Sequence, residues 1–183
     1  PNGVWAEMFM GRFRYQPSQG AAQYRRTLYA FWRRSAAPTF LFDSSQRRIC
    51  EVRPRQTNTP LQALTMLNDL NIMTSARNLA KNAIAQRTEV SQQLEYLFEA
   101  VLCRRPERNE LTVLVREYDA AMKHYSQGEE GKEQATELLR FGQPEQFNDG
   151  KIFLVPSEQS TKLASLMIVA SLIYNLDEAV THE

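Results

Sequence analysis

The chain has 183 residues, of which 43% are hydrophobic and 23% are charged, and these fractions are those of an ordinary globular protein. The longest apolar run, residues 163–176, is too short to cross a bilayer and suits a buried helix. A net charge of +1 argues against a protein that tracks a nucleic-acid backbone, and seven glycines are few for a turn-rich β-sandwich. The length suits a single domain, which we expect to span residues 1–183.

The charge is unevenly distributed along the chain. Residues 1–55 contain ten arginines, no lysine and three acidic residues, so that this part carries about +7 and the remainder about −6. Guanidinium groups match phosphate, sulfate and carboxylate groups with two parallel hydrogen bonds. The arginines could therefore form an anion-binding surface, or they could pair with acidic residues of this fold or of a neighbouring domain.

The first 58 residues mix irregular and helical patterns. Residues 1–20 are aromatic and punctuated by Gly and Pro, which indicates an irregular arm. Residues 24–34, YRRTLYAFWRR, place aromatic residues on one helical face and arginines opposite. Residues 39–52 are predicted to form a loop with short extended pieces. A helix then begins at TNTP, with Thr59 as N-cap and Pro60 at the first helical position.

Helical periodicity continues to the end of the chain. Leu61, Leu64, Met66 and Leu67 supply the apolar face of the helix that starts at Pro60, and Asn68-Asp69 predicts an interruption. The next helix, at about 70–87, is predicted to bury the following stripe: Ile72, Ala76, Leu79, Ala80 and Ile84. Helices at 91–104, with Ser91 as cap, and at 107–125 are predicted to form an antiparallel hairpin.

The C-terminal third contains a polar segment and an apolar helix. Residues 126–156 are predicted to form a variable polar loop, with a short helix at about 132–141. Residues 157–175 are apolar on most sides, so this helix should lie at the centre. The sequence thus predicts an all-α fold, a bundle of five or six helices with an irregular N-terminal arm.

The two cysteines and two histidines give no metal motif. Cys50 and Cys103 lack CxxC spacing and a nearby Cys/His cluster, which argues against a zinc site. They could form one disulfide or remain two buried thiols. There is no CxxCH, so this segment attaches no c-type haem, and nothing in the sequence calls for a cofactor.

Three segments resemble a known family. They are YRRTLYAFWRRSAAPTFLFDSSQRRICEVRPRQTNTPLQALTMLND, LFEAVLCRRPERNEL and ASLIYNLDEAVTHE. Together they resemble the C-terminal half of the DUF1553 (PSD1) domain over roughly residues 20–183. One departure is Ala179, where the family commonly has an aromatic residue.

The resemblance implies a cellular context. Such domains end large exported proteins of planctomycetes, verrucomicrobia and some Bacteroidetes, often together with DUF1549 and cytochrome-c-like domains. It implies an extracytoplasmic location, in the periplasm or at the cell surface, and a role in handling complex or sulfated polysaccharides. The first residues are neither a start methionine nor a signal peptide, so we expect a C-terminal piece of a larger protein.

The best binding candidates surround the start of the helix at Pro60. A helix N-terminus attracts anions, and Arg53, Arg55 and Asn58 precede this one. Alternatively, Asn58 and Thr59 cap the helix while the arginines pair with acidic residues. Two further arginines on the helix at 24–34 could bind a ligand or anchor that helix: Arg25 and Arg26. Asp43 is a weak candidate for a general acid or base, since no partner is evident.

Two functions remain open on this evidence. The first is a non-catalytic helical module that packs against other domains of the same full-length protein and binds acidic or sulfated polysaccharide. The second is the C-terminal half of a polysaccharide-processing active site that the missing N-terminal region completes. A carboxylate pair or a carboxylate–histidine pair in one cleft would favour the enzyme.

Overall fold

The computed structural model describes residues 59–141 and 157–180, and these residues form helices joined by short turns. No strand occurs in these two ranges, which confirms the all-α prediction, but the helices there number seven rather than the predicted five or six. The helices are, in order, α1 (Pro60–Asn68), α2 (Leu70–Gln86), α3 (Val90–Leu102), α4 (Arg108–Tyr125), α5 (Gly128–Arg140), α6 (Ser157–Tyr174) and α7 (Asp177–Val180). The predicted N-terminal arm, the helix at 24–34 and the loop at 39–52 lie outside the described residues.

Helix α6 lies at the centre of the bundle, as its apolar sequence predicts. It packs against all six of the other described helices. Its side chains are buried on most sides, including Leu166, Met167, Val169 and Ala170, none of which is exposed to solvent. Two of its buried hydroxyls are satisfied within the helix, because Ser165 Oγ donates to Thr161 O and Ser171 Oγ donates to Ile168 O.

A single hydrophobic core joins α6 to its neighbours. It is formed by buried residues of α2, α3, α4 and α6: Met73, Ala76, Ala80, Ala83, Leu94, Leu97, Phe98, Leu114, Tyr118, Leu163, Leu166, Met167, Val169, Ala170 and Ile173. The small alanines of α2 allow its backbone to approach α6 closely, and Phe98 and Leu97 fill the space beside α3. Each large apolar side chain that is fully buried stabilises the folded state by roughly 1.5–3 kcal/mol.

The buried stripe of α2 differs from the predicted one. Asp69 separates α1 from α2 as predicted, and its Oδ1 caps α2 by accepting hydrogen bonds from Asn71 N and Ile72 N. Ala76 and Ala80 are buried as predicted, but Ile84 is exposed, and the stripe continues instead through Met73, Arg77 and Ala83. The physical reason is that α6 follows the alanines, where backbones can come closest, rather than the larger isoleucine.

Helices α3 and α4 pack together as the predicted hairpin. Leu94, Leu97 and Phe98 are buried as expected. The prediction that Ser91 caps α3 is wrong, because the helix begins at Val90 with Glu89 at the N-cap position. At the other end, Cys103 ends α3 in the left-handed conformation with φ 56°, and its N–H donates to Glu99 O at 2.9 Å.

A tight turn joins α4 to α5, and glycines make it. Gly128 has φ +66°, a left-handed backbone conformation that residues with a side chain rarely adopt. Gly131 is buried against the end of α4, where an added Cβ would lie 2.6 Å from His124 O. Helix α5 begins at Gly128, four residues before the predicted helix at 132–141. In the described ranges, no helix combines the length and hydropathy needed to span a membrane.

Candidate functional site

All six predicted site residues lie outside the described residues. They are Arg25, Arg26, Asp43, Arg53, Arg55 and Asn58. The same holds for Cys50, so a disulfide with Cys103 stays a prediction. Cys103 itself is exposed, so the alternative of a buried thiol is wrong for this residue. The structure does describe the helix start that follows the two arginines at 53 and 55, and it describes two arginine sites that the sequence did not single out.

The start of α1 forms the capping arrangement that its sequence predicts. Thr59 Oγ1 accepts a hydrogen bond from Gln62 N at 3.3 Å, and Thr59 N donates to Gln62 Oε1 at 2.6 Å. Pro60 occupies the first position, where its missing N–H leaves no donor unsatisfied. These two reciprocal bonds make a capping box, which confirms the predicted start of the helix.

The capping box limits how α1 could bind an anion. Of the first helical N–H groups, that of Gln62 donates to Thr59 Oγ1, and that of Ala63 donates to Thr59 O at 3.1 Å. Pro60 has no N–H. The N–H of Leu61 is therefore the one donor at the start of α1 that takes part in neither of these bonds. An anion held here by backbone alone would therefore have one donor, and further affinity would have to come from arginine side chains.

The predicted apolar face of α1 is only partly buried. Met66 is buried and Leu67 is half-buried, but Leu61 is 65% exposed and Leu64 is 58% exposed. Gln62 takes the inner position instead and is 5% exposed. Hydropathy does not set the rotation of α1 about its axis, because that rotation depends on how α1 packs against α2 and α6.

A hydrogen bond fixes α1 on the end of α6. Asn175 Nδ2 donates to Ala63 O at 3.2 Å, across 112 residues of sequence. Ala63 lies on the half-buried side of α1 and Asn175 directly follows α6. The contact places Leu61 and Leu64 on the side of α1 that faces away from the core.

Arg104, in the turn between α3 and α4, joins three segments of the fold. It binds Glu110 of α4 through Nη1–Oε2 at 2.9 Å and Nη2–Oε1 at 2.8 Å. It binds Glu178 of α7 through Nε–Oε1 at 2.7 Å and Nη2–Oε2 at 2.7 Å. Its guanidinium carbon also lies 4.8 Å from the ring centre of Phe98. We call Arg104, Glu110 and Glu178 the Arg104 clasp.

The electrostatics of the clasp follow from these bonds. Hydrogen bonds from Arg104, and then the N–H of Glu107 donating to Glu110 Oε2 at 2.7 Å, lower the pKa of Glu110 to about 2. Hydrogen bonds from Arg104 also lower the pKa of Glu178. The bonds to Glu110 and then to Glu178 raise the pKa of Arg104. All three groups are therefore charged at neutral pH and neutralise much of one another's field.

A second arginine, Arg77, closes the end of α5. It is 6% exposed, and its Nη1 donates to Leu139 O at 2.8 Å and to Phe141 O at 2.9 Å. The last carbonyls of a helix have no partner within the helix, so this guanidinium supplies one from α2. The local sequence gives little warning of this role, because Arg77 lies beside Ala76 within an otherwise apolar stripe.

Outside the clasp, burial changes the pKa of one lysine and three tyrosines among the described residues. Burial, and then the charge of Arg77, lower the pKa of Lys81. His124 is exposed near the end of α4, as its polar neighbours predict. Burial raises the pKa of Tyr118, Tyr125 and Tyr174, so these phenols stay protonated at neutral pH. Within residues 59–141 and 157–180, no three His, Cys, Asp or Glu residues are grouped closely enough to hold a metal ion.

Sequence reasoning did not find the Arg104 clasp, although one signal for it was available. Glu107 and Glu110 have the spacing of an N-terminal capping pair and follow Arg104-Arg105 after one proline. That spacing predicts that Glu110 folds back towards the turn, within reach of an arginine. The contribution of Glu178 could not be predicted, since it arrives from 74 residues further along the chain.

The sequence of residues 3–118 matches the family model described as PSD1, protein of unknown function (DUF1553). The chain belongs to the PSD1 family. The match covers α1, α2, α3 and most of α4, including the TNTP helix start, whereas the closing segment ASLIYNLDEAVTHE lies beyond it. No curated protein and no solved structure matches the chain.

Proposed function

We propose that this PSD1 chain is a non-catalytic helical module of an exported multidomain protein, which packs against other domains of that protein and carries an anion- or glycan-binding surface. The observation that supports the non-catalytic role is the Arg104 clasp. Its carboxylates have lowered pKa values because they are paired across helices, which is the signature of a structural ion-pair network rather than of a general acid.

The surface of α1 supports a role in packing against another domain. Leu61 and Leu64 are exposed on a helix whose inner position is occupied by a glutamine. Large apolar side chains on one outward helical stripe are typical of surfaces that pack against other protein. Because α1 is fixed on α6 by Asn175, this stripe is held in one orientation.

The arginine-rich residues 1–55 support the anion- or glycan-binding surface. Their charge of about +7 comes from guanidinium groups, which bind sulfate and carboxylate with two hydrogen bonds each. The N–H of Leu61 is the one donor outside the hydrogen bonds at the start of α1, so we assign the binding to Arg53 and Arg55 rather than to the helix end.

Thermal melts with sulfated and uronate oligosaccharides, at low and high salt, test the anion-binding surface. We expect a salt-sensitive rise in Tm that is lost in the double variant Arg53→Ala/Arg55→Ala. The matched control is Arg105→Ala/Arg108→Ala, which removes the same charge from two exposed positions, one in the α3–α4 turn and one at the start of α4. If both double variants lose the rise in Tm equally, the effect comes from net charge and not from a site at Arg53 and Arg55. If no ligand raises the Tm of the wild type, the anion-binding surface is contradicted.

A separate assay tests the non-catalytic role. The chain is incubated with the same oligosaccharides, and new reducing ends or unsaturated uronates are measured. We expect none above the buffer blank. Turnover that persists after repurification and is abolished by Asp43→Asn would overturn the proposal in favour of the polysaccharide-processing enzyme.

A further inference from the structure

Helix α7 is too short to be stable by itself. It has four residues, Asp177–Val180, which is a single turn, and the first turn of a helix is unfavourable because several dihedral angles are fixed for one hydrogen bond. None of its residues is fully buried; Ala179 and Val180 are half-buried. Contacts with α3 and α6, together with the Arg104 clasp, must therefore hold it in place.

The clasp has a fixed side and a detachable side. Glu110 holds Nη1 and Nη2 of Arg104 from α4, and Phe98 supports the guanidinium face from α3. Glu110 is itself fixed by the N–H of Glu107. These contacts involve α3, α4 and the turn between them, and none of them involves α7. On the other side, Nε and Nη2 of Arg104 donate hydrogen bonds to Glu178, whose side chain is exposed.

We propose that α7 is a latch, which Arg104 holds against α3 through Glu178 and which opens while the bundle of α1–α6 stays folded. An exposed ion pair contributes little free energy, but a bidentate pair within a network is the favourable case. Opening breaks two charge-assisted hydrogen bonds and separates no fully buried side chain. It is therefore a local event, far less costly than unfolding the core around α6.

Salt sensitivity follows from the exposure of the latch. Arg104 and Glu178 have side chains 38% and 49% exposed, so dissolved ions screen their attraction. The core of α6 consists of apolar side chains and does not depend on charge. Higher ionic strength should therefore favour opening of α7 without favouring unfolding of the bundle. Such a latch is a property separate from the packing role proposed above.

Amide hydrogen exchange of the full 183-residue chain, resolved by residue with NMR, tests the latch. The reporter is the Ala179 N–H, which donates to Leu176 O at 2.9 Å, and the reference is the Val169 amide in α6. In Glu178→Gln and in Arg104→Lys we expect exchange at Ala179 to rise about fivefold, the ratio expected from one well-formed exposed ion pair. Exchange at Val169 should stay within about twofold of the wild type in both variants.

A matched control and a salt series complete the experiment. Glu117→Gln removes a carboxylate from the exposed pair with Arg116 and should leave exchange at Ala179 unchanged. Salt at about 1 M, where the screening length is about 3 Å, should speed exchange at Ala179 in the wild type but not in Glu178→Gln.

Three results would overturn the latch. The first is an Ala179 amide that exchanges at the unprotected rate in the wild type, since α7 would then not be docked. The second is unchanged exchange at Ala179 in both clasp variants, since Arg104 would then not hold α7. The third is a joint rise at Ala179 and Val169, since α7 would then open only when the whole bundle unfolds.

Discussion

Substitution of Gly131 by alanine separates helix propensity from packing. Gly131 lies in the first turns of α5 and is buried against the end of α4. A Cβ at this position would lie 2.6 Å from His124 O and 3.1 Å from Tyr125 O. Both atoms belong to the backbone, so they cannot move aside as a flexible side chain would. Alanine therefore forces the ends of α4 and α5 apart.

Two opposing contributions set the magnitude. Alanine is favoured over glycine within a helix by about 1 kcal/mol. Overpacking of a close contact destabilises by about 1–3 kcal/mol, and the short distance to a backbone oxygen places this site in the upper half of that range. We expect Gly131→Ala to lower the free energy of unfolding by about 1–2 kcal/mol in total, the opposite sign from propensity alone.

Urea unfolding followed by circular dichroism measures this change. With a slope of about 2 kcal/mol per molar, the midpoint should fall by roughly 0.5–1 M. One control is Glu133→Ala, an exposed α5 position where the midpoint should not fall. A second is Gly128→Ala, which meets no atom within 4 Å and should lose about 1 kcal/mol through its positive φ alone. A Gly131→Ala midpoint at or above that of the wild type would refute the close contact.

Three further predictions concern the caps and the clasp. Thr59→Ala should lower stability by about 1 kcal/mol through loss of the α1 cap, and an unchanged urea midpoint would contradict that role. Arg77→Met should cost about 2 kcal/mol because it leaves the carbonyls that end α5 without this donor, whereas the exposed Arg116→Met should change stability by less than about 0.5 kcal/mol. Folding lowers the pKa of Glu110 from 4.5 to about 2, so the unfolded chain binds more protons in that range and stability should fall as the pH falls through it. Acid titration of Glu110→Gln should show a shallower fall, and an identical slope would contradict the pairing.

Several features of the helices were predictable because they have local signals in the sequence. TNTP carries an N-cap and a proline at the first position, Asn68-Asp69 carries the next cap, and α6 is apolar on most sides. These signals act within a few residues and need no knowledge of the tertiary fold. The start of α1 and the central position of α6 therefore agree with the sequence interpretation.

The faces of the helices were harder to predict, because neighbours decide them. Hydropathy alone places Leu61 and Leu64 inward, but α1 packs on α2 and α6 with Gln62 buried instead. In α2, close approach to α6 selects the alanines and leaves Ile84 outside. The hydropathy of a residue does not indicate how closely another helix can approach that position.

The candidate site was predictable only in its helix start. The arginines and Asp43 precede the described residues, so their binding role stays a prediction. The Arg104 clasp depends on a contact between Arg104 and Glu178, and Arg77 depends on where α5 ends. The Arg104–Glu178 pair and the bonds from Arg77 to the carbonyls of Leu139 and Phe141 join distant parts of the sequence and leave no local pattern, which is why these contacts were missed.

The central position of α6 bears on how the protein is made. Synthesis proceeds from the N-terminus, so α1 to α5 leave the ribosome before the helix that they all contact. Until Tyr174 has emerged, Leu94, Leu97 and Phe98 have no α6 to cover them. A chain that stalls before this point would present apolar surface to chaperones and proteases, whereas the finished chain would close its core in one late step.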